Sequence, residues 1–460
     1  MTSKTAIHVF TRLLPIGSLL VSLPLVSLLV SPALADSTAQ TDTNGATATP
    51  VKAPLHPKKH KVAKAPSPDI VPTHKAAAPA PVVDTSGPLD LNVTYTGELW
   101  QNTGGFNSGT DYMYEVDASL SVDTQKLFGW QGGRFYVEGF YAGGNSLDFT
   151  YTGALQAPSA LDAYDSMNLV KLYQLYYDQQ IGNTNVMVGR FDVQQQFGTT
   201  RPMDLFANKA QAINYTFLAA GQAAGFNDPS IYPDTTIGLR IKQTFGSQWT
   251  VKLGLLNGLS DSPDARNTTD ILIGPKEGAL GIGEVDFTPD KYTKFMVGTW
   301  GLTGQLNKIA QFSPTYAQLT TWGDAGAYVG GATRLYTIEG NRGVDAFFNV
   351  GVTNAITNIS DLSVDAGVTI TGLFGARPND KLGAAVGVIE TTPGYQKLMY
   401  LYQGLQIAQY ETAYELTYRA KITDWLAIQP EVDYITNPDI AGKKSAFAYG
   451  LHFELHKEFN

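Results

Sequence analysis

A period of two keeps returning along this chain. Leu89, Leu91, Val93, Tyr95 and Leu99 alternate with Asp90, Asn92, Thr94, Thr96 and Glu98. Tyr112, Tyr114, Val116, Ala118, Leu120 and Val122 alternate with Met113, Glu115, Asp117, Ser119, Ser121 and Asp123. Such spacing places one set of side chains on each face of a β-strand. The same pattern recurs near Phe135, Ile237, Trp249, Leu362, Tyr410 and Leu426, and finally in Phe447, Tyr449, Leu451, Phe453 and Leu455. Weaker segments start near Val170, Val186, Leu280, Lys294, Ala327, Val344 and Leu382, which brings the expected total to sixteen strands, give or take two. Turn residues fall between them: Gly132-Gly133, Asn183, Pro289-Asp290, Asn341, Pro378-Asn379-Asp380 and Asn437-Pro438-Asp439.

A soluble sandwich also alternates, but its inner face is a dry core that cannot hold unpaired charges. Here the polar face carries charges, and the apolar face is aromatic toward strand ends, as at Tyr95, Tyr112, Tyr141, Tyr418 and Tyr434. Aromatic girdles at the edges of a lipid-facing band have this form. In lipid only closure satisfies the backbone of strands. The expected fold is therefore all-β, a transmembrane antiparallel β-barrel preceded by a disordered linker. Shared by sixteen strands, residues 89–460 supply about 23 residues per strand and connection, the size class that encloses an aqueous channel.

Three regions are expected. Residues 1–35 read as a cleaved signal peptide: Lys4, His8 and Arg12, then the apolar run Leu13–Val30, then Ala33-Leu34-Ala35 before Asp36. Residues 36–88 are rich in Ala, Pro, Thr and Lys and lack Tyr, Trp and Phe, so they read as a disordered periplasmic linker whose lysines could touch acidic cell-wall polymer. Its histidines, His56, His60 and His74, are irregularly spaced, without a carboxylate cluster. Residues 89–460 form the barrel.

Composition narrows function. Cysteine is absent, which removes disulfides, thiolate nucleophiles and cysteine-ligated metals. No cofactor and no metal site is expected. A net charge of −9 argues against nucleic acid. The barrel region holds 24 basic against 37 acidic residues, a balance of −13 that suggests cation preference over anions. Its two histidines, His452 and His456, lie beside the C-terminus with no serine motif near either, so no catalytic residues are assigned.

Several stretches resemble the carbohydrate-selective porins of the OprB family. Val93-Thr94-Tyr95-Thr96-Gly97-Glu98 resembles the family's opening strand, and Lys126-Leu127-Phe128-Gly129-Trp130-Gln131-Gly132-Gly133 its K-L-x-G-W-x-G-G turn. Lys171-Leu172-Tyr173-Gln174-Leu175-Tyr176-Tyr177-Asp178-Gln179 is similar to R-L-Y-E-L-W-Y-E-Q. Tyr232-Pro233 with Gly238-Leu239-Arg240-Ile241-Lys242, Tyr414-Glu415-Leu416-Thr417-Tyr418, and Trp425-Leu426-Ala427-Ile428-Gln429-Pro430 complete the series in order. The resemblance implies a sixteen-stranded porin of the bacterial outer membrane that passes small, glucose-type carbohydrates passively. This chain departs from the family at Lys171, Gln174 and Asp178, where the pattern carries Arg, Glu and Glu, which leaves sugar preference open.

Candidate pore-lining or substrate residues are Glu115, Asp117, Arg134, Glu138, Lys171, Gln174, Arg190, Arg240 and Lys242. Arg190 shares the parity of apolar Val186 and Val188, so its strand is expected to end or bulge there. Residues 143–168 and 195–231 are longer than a hairpin needs, and one is expected to fold inward as a constriction; the second carries Arg201, Asp204 and Lys209. Other readings stay open: a general or differently selective channel for cations or organic acids, a structural barrel, or an outer-membrane enzyme. Oligomeric state is left undetermined.

Overall fold

The computed structural model describes residues 87–161, 169–208, 230, 232–258, 273–312, 318–438 and 444–459. Residues 1–86, which contain the expected signal peptide and nearly all of the expected linker, lie outside them, as does Lys209. The strands are β1 (Leu89–Gly104), β2 (Gly109–Asp123), β3 (Gly133–Gly144), β4 (Leu169–Ile181), β5 (Thr184–Phe191), β6 (Thr236–Phe245), β7 (Trp249–Asn257) and β8 (Ala279–Phe287). They continue as β9 (Lys294–Phe312), β10 (Gln318–Glu339), β11 (Arg342–Val352), β12 (Ser360–Thr371), β13 (Lys381–Thr391), β14 (Tyr410–Lys421), β15 (Leu426–Thr436) and β16 (Ala446–Phe459).

Each strand pairs antiparallel with its neighbours in sequence, and β1 pairs with β16, from Leu91 opposite Phe459 to Gly104 opposite Ala446. The sheet therefore closes with no free edge, as the sequence pattern predicts. Alternation sets the faces. On β2, Asp111, Met113, Glu115, Asp117 and Ser119 are buried, while Tyr112 and Val116 are exposed. On β14, Glu411, Ala413, Glu415 and Thr417 are buried between exposed Tyr410, Tyr414 and Leu416. The exposed apolar band is the lipid-facing surface and the buried polar set lines the interior. Tyr112, Tyr410, Tyr434 and Phe447 rim the band at one end; Phe135, Phe245, Trp249 and Trp425 rim the other. Tyr95 departs from that expectation. It sits mid-strand, stacked on Tyr114 at 6.1 Å and beside Phe453 at 5.9 Å. The Phe453 ring covers Gly97, where a Cβ would collide with it.

The two ends differ. Connections such as 182–183, 246–248 and 340–341 are tight turns at one end, whereas the opposite end carries the long connections 145–168 and 192–235 and the helix Pro393–Gln403. Short periplasmic turns and long outer loops are the rule for such barrels. Residues 87–88 join the barrel at the short-turn end, where Asp123 N–H donates to Pro88 O.

Candidate functional site

The interior is narrowed by the connection between β5 and β6. Just before it, within β5, Gly189 takes a φ of +137°; a Cβ there would meet the Leu175 carbonyl. The strand neither ends nor bulges at Arg190, as its parity suggests it should: β5 runs on to Phe191 in unbroken register, and the unusual backbone lies at Gly189, one residue earlier. Although Arg190 is opposite outward Leu175 and Ile237, its side chain is buried and its Nε donates to Thr235 Oγ1 at 2.8 Å. Asp192 then caps the short helix α1 (Val193–Gln196) through the Gln194 N–H at 2.7 Å. Phe191, Val193 and Phe197 pack on an apolar patch of the inner wall made by Leu256, Leu280, Ile282, Trp300 and Leu302.

From there the segment touches successive strands around the ring. Gly198 N–H donates to Glu284 on β8 at 2.5 Å, and Lys294 on β9 donates to Thr199 O at 2.8 Å. Asn349 on β11 donates to the Met203 sulfur at 3.0 Å, and Phe206 meets the Phe347 ring at 5.4 Å. Gln429 on β15 donates to Leu205 O at 2.9 Å. Glu415 on β14 accepts the N–H groups of Ala207 (2.9 Å) and Asn208 (3.2 Å), and Asp433 on β15 accepts the Asn208 amide at 2.9 Å. The sequence reading expected one of two long connections to enter. Both do: Leu155 and Gln156 of the other donate their N–H groups to Glu411 at 3.0 and 2.7 Å, and Asn208 donates to Gln156 O at 3.2 Å.

The nine sequence-predicted residues divide into two sets. Most hold the inward segment in place. Glu115 accepts the Tyr232 hydroxyl at 2.7 Å, and Lys171 binds Asp234 at 2.6 Å. Glu138 accepts Gln174 Nε2 at 2.5 Å and the Tyr136 hydroxyl at 3.0 Å, while Gln174 also reaches Gln195 at 3.1 Å. Arg190 belongs with them, and Asp117 is buried on the same inner face as Glu115. Strict alternation would send Lys171 and Gln174 to opposite faces. A register shift opposite Glu138 and Gly139 inserts an extra residue, so that Lys171, Tyr173 and Gln174 are all buried.

The second set lies on the inner wall toward the short-turn end, with Arg134 and Lys242 partly exposed and Arg240 buried. Arg134 reaches Asp178 at 3.4 Å and Arg240 reaches it at 3.8 Å. Lys242 follows Arg240 on the inner face of β6. Tyr136 and Tyr176 stack here at 5.0 Å and 26°, with the Arg134 guanidinium 6.0 Å from the Tyr136 ring. Cationic donors, a carboxylate and aromatic faces can hold sugar hydroxyls and ring carbons weakly, which a passive channel requires.

Sequence reasoning missed Tyr136, Tyr176, Tyr232 and Asn208. The inward parity of Tyr136, between Arg134 and Glu138, was the available signal. The carboxylates of Glu415, Glu431 and Asp433 approach within 4.8 Å of one another, and the Asn208, Thr417 and Gln429 groups serve as their donors. His452 lies against Glu98 at 2.9 Å, and His456 against the Thr94 hydroxyl at 3.1 Å.

Comparison with known proteins gives one answer. The family profile described as "Carbohydrate-selective porin, OprB family" matches residues 108–456. Porin B of Pseudomonas aeruginosa is 25% identical over 389 residues, covering 76% of this chain and 83% of that protein. The high-pH structure of Pseudomonas putida OprB superposes with a TM-score of 0.70 at 21% identity, covering 80% of this chain and 94% of that one.

Proposed function

The chain belongs to the carbohydrate-selective porin OprB family and is a sugar-selective channel of the bacterial outer membrane; we propose that small neutral sugars diffuse passively past residues 198–208, with Arg134, Tyr136, Asp178, Arg240 and Lys242 as a weak binding wall. The observation that carries this reading is the inward segment itself. Its attachments to β8, β9, β11, β14 and β15 narrow the bore, so a solute must pass close to the remaining wall. Weak contacts then suffice, because conduction needs binding that releases. The test is a glucose titration of ion current through the full chain in a planar bilayer. Block at millimolar glucose supports the reading. Stable current indifferent to a panel of sugars refutes the binding wall.

The finer assignments belong to the same proposal. Residues 1–35 direct export and are removed before Asp36, which mass spectrometry of the outer-membrane protein checks. Residues 36–88 act as a periplasmic tether, a role supported by the entry of the chain at the short-turn end. A salt-sensitive pull-down of that peptide on peptidoglycan tests the cell-wall contact, and the acidic balance of residues 89–460 favours cations in a reversal-potential measurement.

A further inference from the structure

We propose that Lys242, with Arg240 and Arg134, forms a subsite for the carboxylate of an acidic sugar, so that the channel admits uronic-type acids alongside neutral sugars. The inference rests on the carbohydrate-channel reading above and names a further substrate class for the same wall.

The argument is one of charges and their partners. Asp178 is the carboxylate shared by Arg134 and Arg240, at 3.4 and 3.8 Å. Both distances exceed the roughly 2.7–2.9 Å of a charge-assisted hydrogen bond, so neither guanidinium is saturated. The Arg240 Nε is buried without an acceptor. Asp123, opposite Arg134 in the β2–β3 pairing, makes no ion pair with it; its Oδ1 accepts the N–H groups of Gln125 and Lys126 at 2.8 and 3.0 Å.

Lys242 makes no hydrogen bond or ion pair among the described residues. Directly opposite it across β6 and β7 stands a second cation, Lys252. The carboxylates beyond are committed: Lys252 holds Glu284 at 2.6 Å and Asp286 at 2.9 Å, and Lys294 draws on Asp286 at 3.4 Å. A barrel region with an acidic balance thus keeps a lysine on its inner wall with no carboxylate in contact among the described residues, attracted only at a distance by Asp178 and Asp286. Lys252 and Arg240 repel the charge on Lys242, and a visiting anion relieves that repulsion. Tyr136, partly buried beside Arg134 and backed by the buried Tyr176 ring, supplies an apolar surface that a sugar ring uses and a simple anion does not.

The experiment compares block of ion current through the full chain by glucose, glucuronate and acetate. Glucuronate should half-block at roughly threefold to tenfold lower concentration than glucose in 0.1 M salt, and the ratio should shrink in 1 M salt as screening shortens the reach of Lys242. Lys242→Gln should move the glucuronate-to-glucose ratio toward one, and Lys242→Arg should restore it. Equal block by the two sugars, with glucose still active, overturns this inference and leaves the neutral-sugar reading intact. Indifference to both sugars overturns the two together. Acetate blocking as well as glucuronate overturns the sugar-acid assignment in favour of a bare anion patch. A ratio that survives both Lys242→Gln and Arg134→Gln overturns the placement.

Discussion

The side-chain amide of Asn208 donates to the carboxylate of Asp433 at 2.9 Å, across 225 residues of sequence. This contact, with the two N–H groups received by Glu415, fixes the far end of the inward segment to the opposite part of the ring. Hydrogen bonds to charged groups are worth about 1.5–3 kcal/mol each. Glu415→Ala removes two of them and should free residues 205–208 locally. Single-channel recording should then show higher conductance and more flicker. An unchanged trace would mean that Gln429 and the apolar contacts of Phe206 hold the segment without Glu415.

Deletion of residues 203–208 is the stronger form of the same prediction. It removes the attachments to β11, β14 and β15 at once. The bore should widen and conductance rise, while the barrel still assembles because its closure between β1 and β16 does not involve this segment. Unaltered conductance in a folded deletion variant would make the segment an ordinary loop.

Gln174 stands where the family pattern carries Glu, and here it donates to Glu138 at 2.5 Å in a buried site. Gln174→Glu replaces that donor by a second carboxylate. A lost donor beside a buried charge costs about 1–3 kcal/mol or more. The unfolding midpoint in urea should fall, and adding Glu138→Gln should recover much of the loss. No recovery in the double variant would show that the two side chains are not coupled.

Gly189 adopts φ +137°, and any Cβ there meets the Leu175 carbonyl. Gly189→Ala should destabilise by about 1–3 kcal/mol, the usual cost of a residue forced into such backbone. It should also disturb the next residue, Arg190, whose Nε donates to Thr235. Equal stability of the variant and parent in denaturant would contradict this.

Asp380, in the short turn before β13, accepts the Tyr418 hydroxyl, the Lys421 N–H at 3.1 Å and the Arg377 guanidinium. Burial pushes its carboxyl up, but these partners outweigh it and hold the group below the ordinary carboxylate range. A depressed folded value stabilises the native state above the unfolded value of about 4 and is lost as pH falls through the folded one. Asp380→Asn should therefore lower the unfolding midpoint at neutral pH, and the gap should close in stronger acid. A pH-independent gap would show that the carboxylate's charge plays no part.

Legibility in the sequence followed the chemistry of each inner face. β2, β14, β15 and β16 read cleanly because their inward residues are polar, such as Glu415, Glu431 and Asp433. β8 and β9 read weakly because Leu280, Ile282, Trp300 and Leu302 point inward, where they meet Phe191, Val193 and Phe197. Alternation fails as a signal when the inside of a barrel is apolar, and here it is apolar because a loop is packed there. The joint burial of Lys171 and Gln174 was equally hidden, since an inserted residue leaves no mark in local composition.

Strand number, antiparallel closure and the lipid-facing band were determined by the sequence itself. Each depends on side-chain period and on the need to satisfy backbone groups in lipid, both of which are local. What only the tertiary structure decided is which wall residues face open bore and which are consumed in anchoring. Glu115, Glu138 and Lys171 find partners brought from the β5–β6 connection, at Tyr232, Gln195 by way of Gln174, and Asp234. Arg134, Arg240 and Lys242 make no hydrogen bond or ion pair with that connection among the described residues and stay on the inner wall, Arg240 buried and the other two partly exposed. Such a division depends on where a long connection lands inside a closed ring, and no period in the chain encodes that.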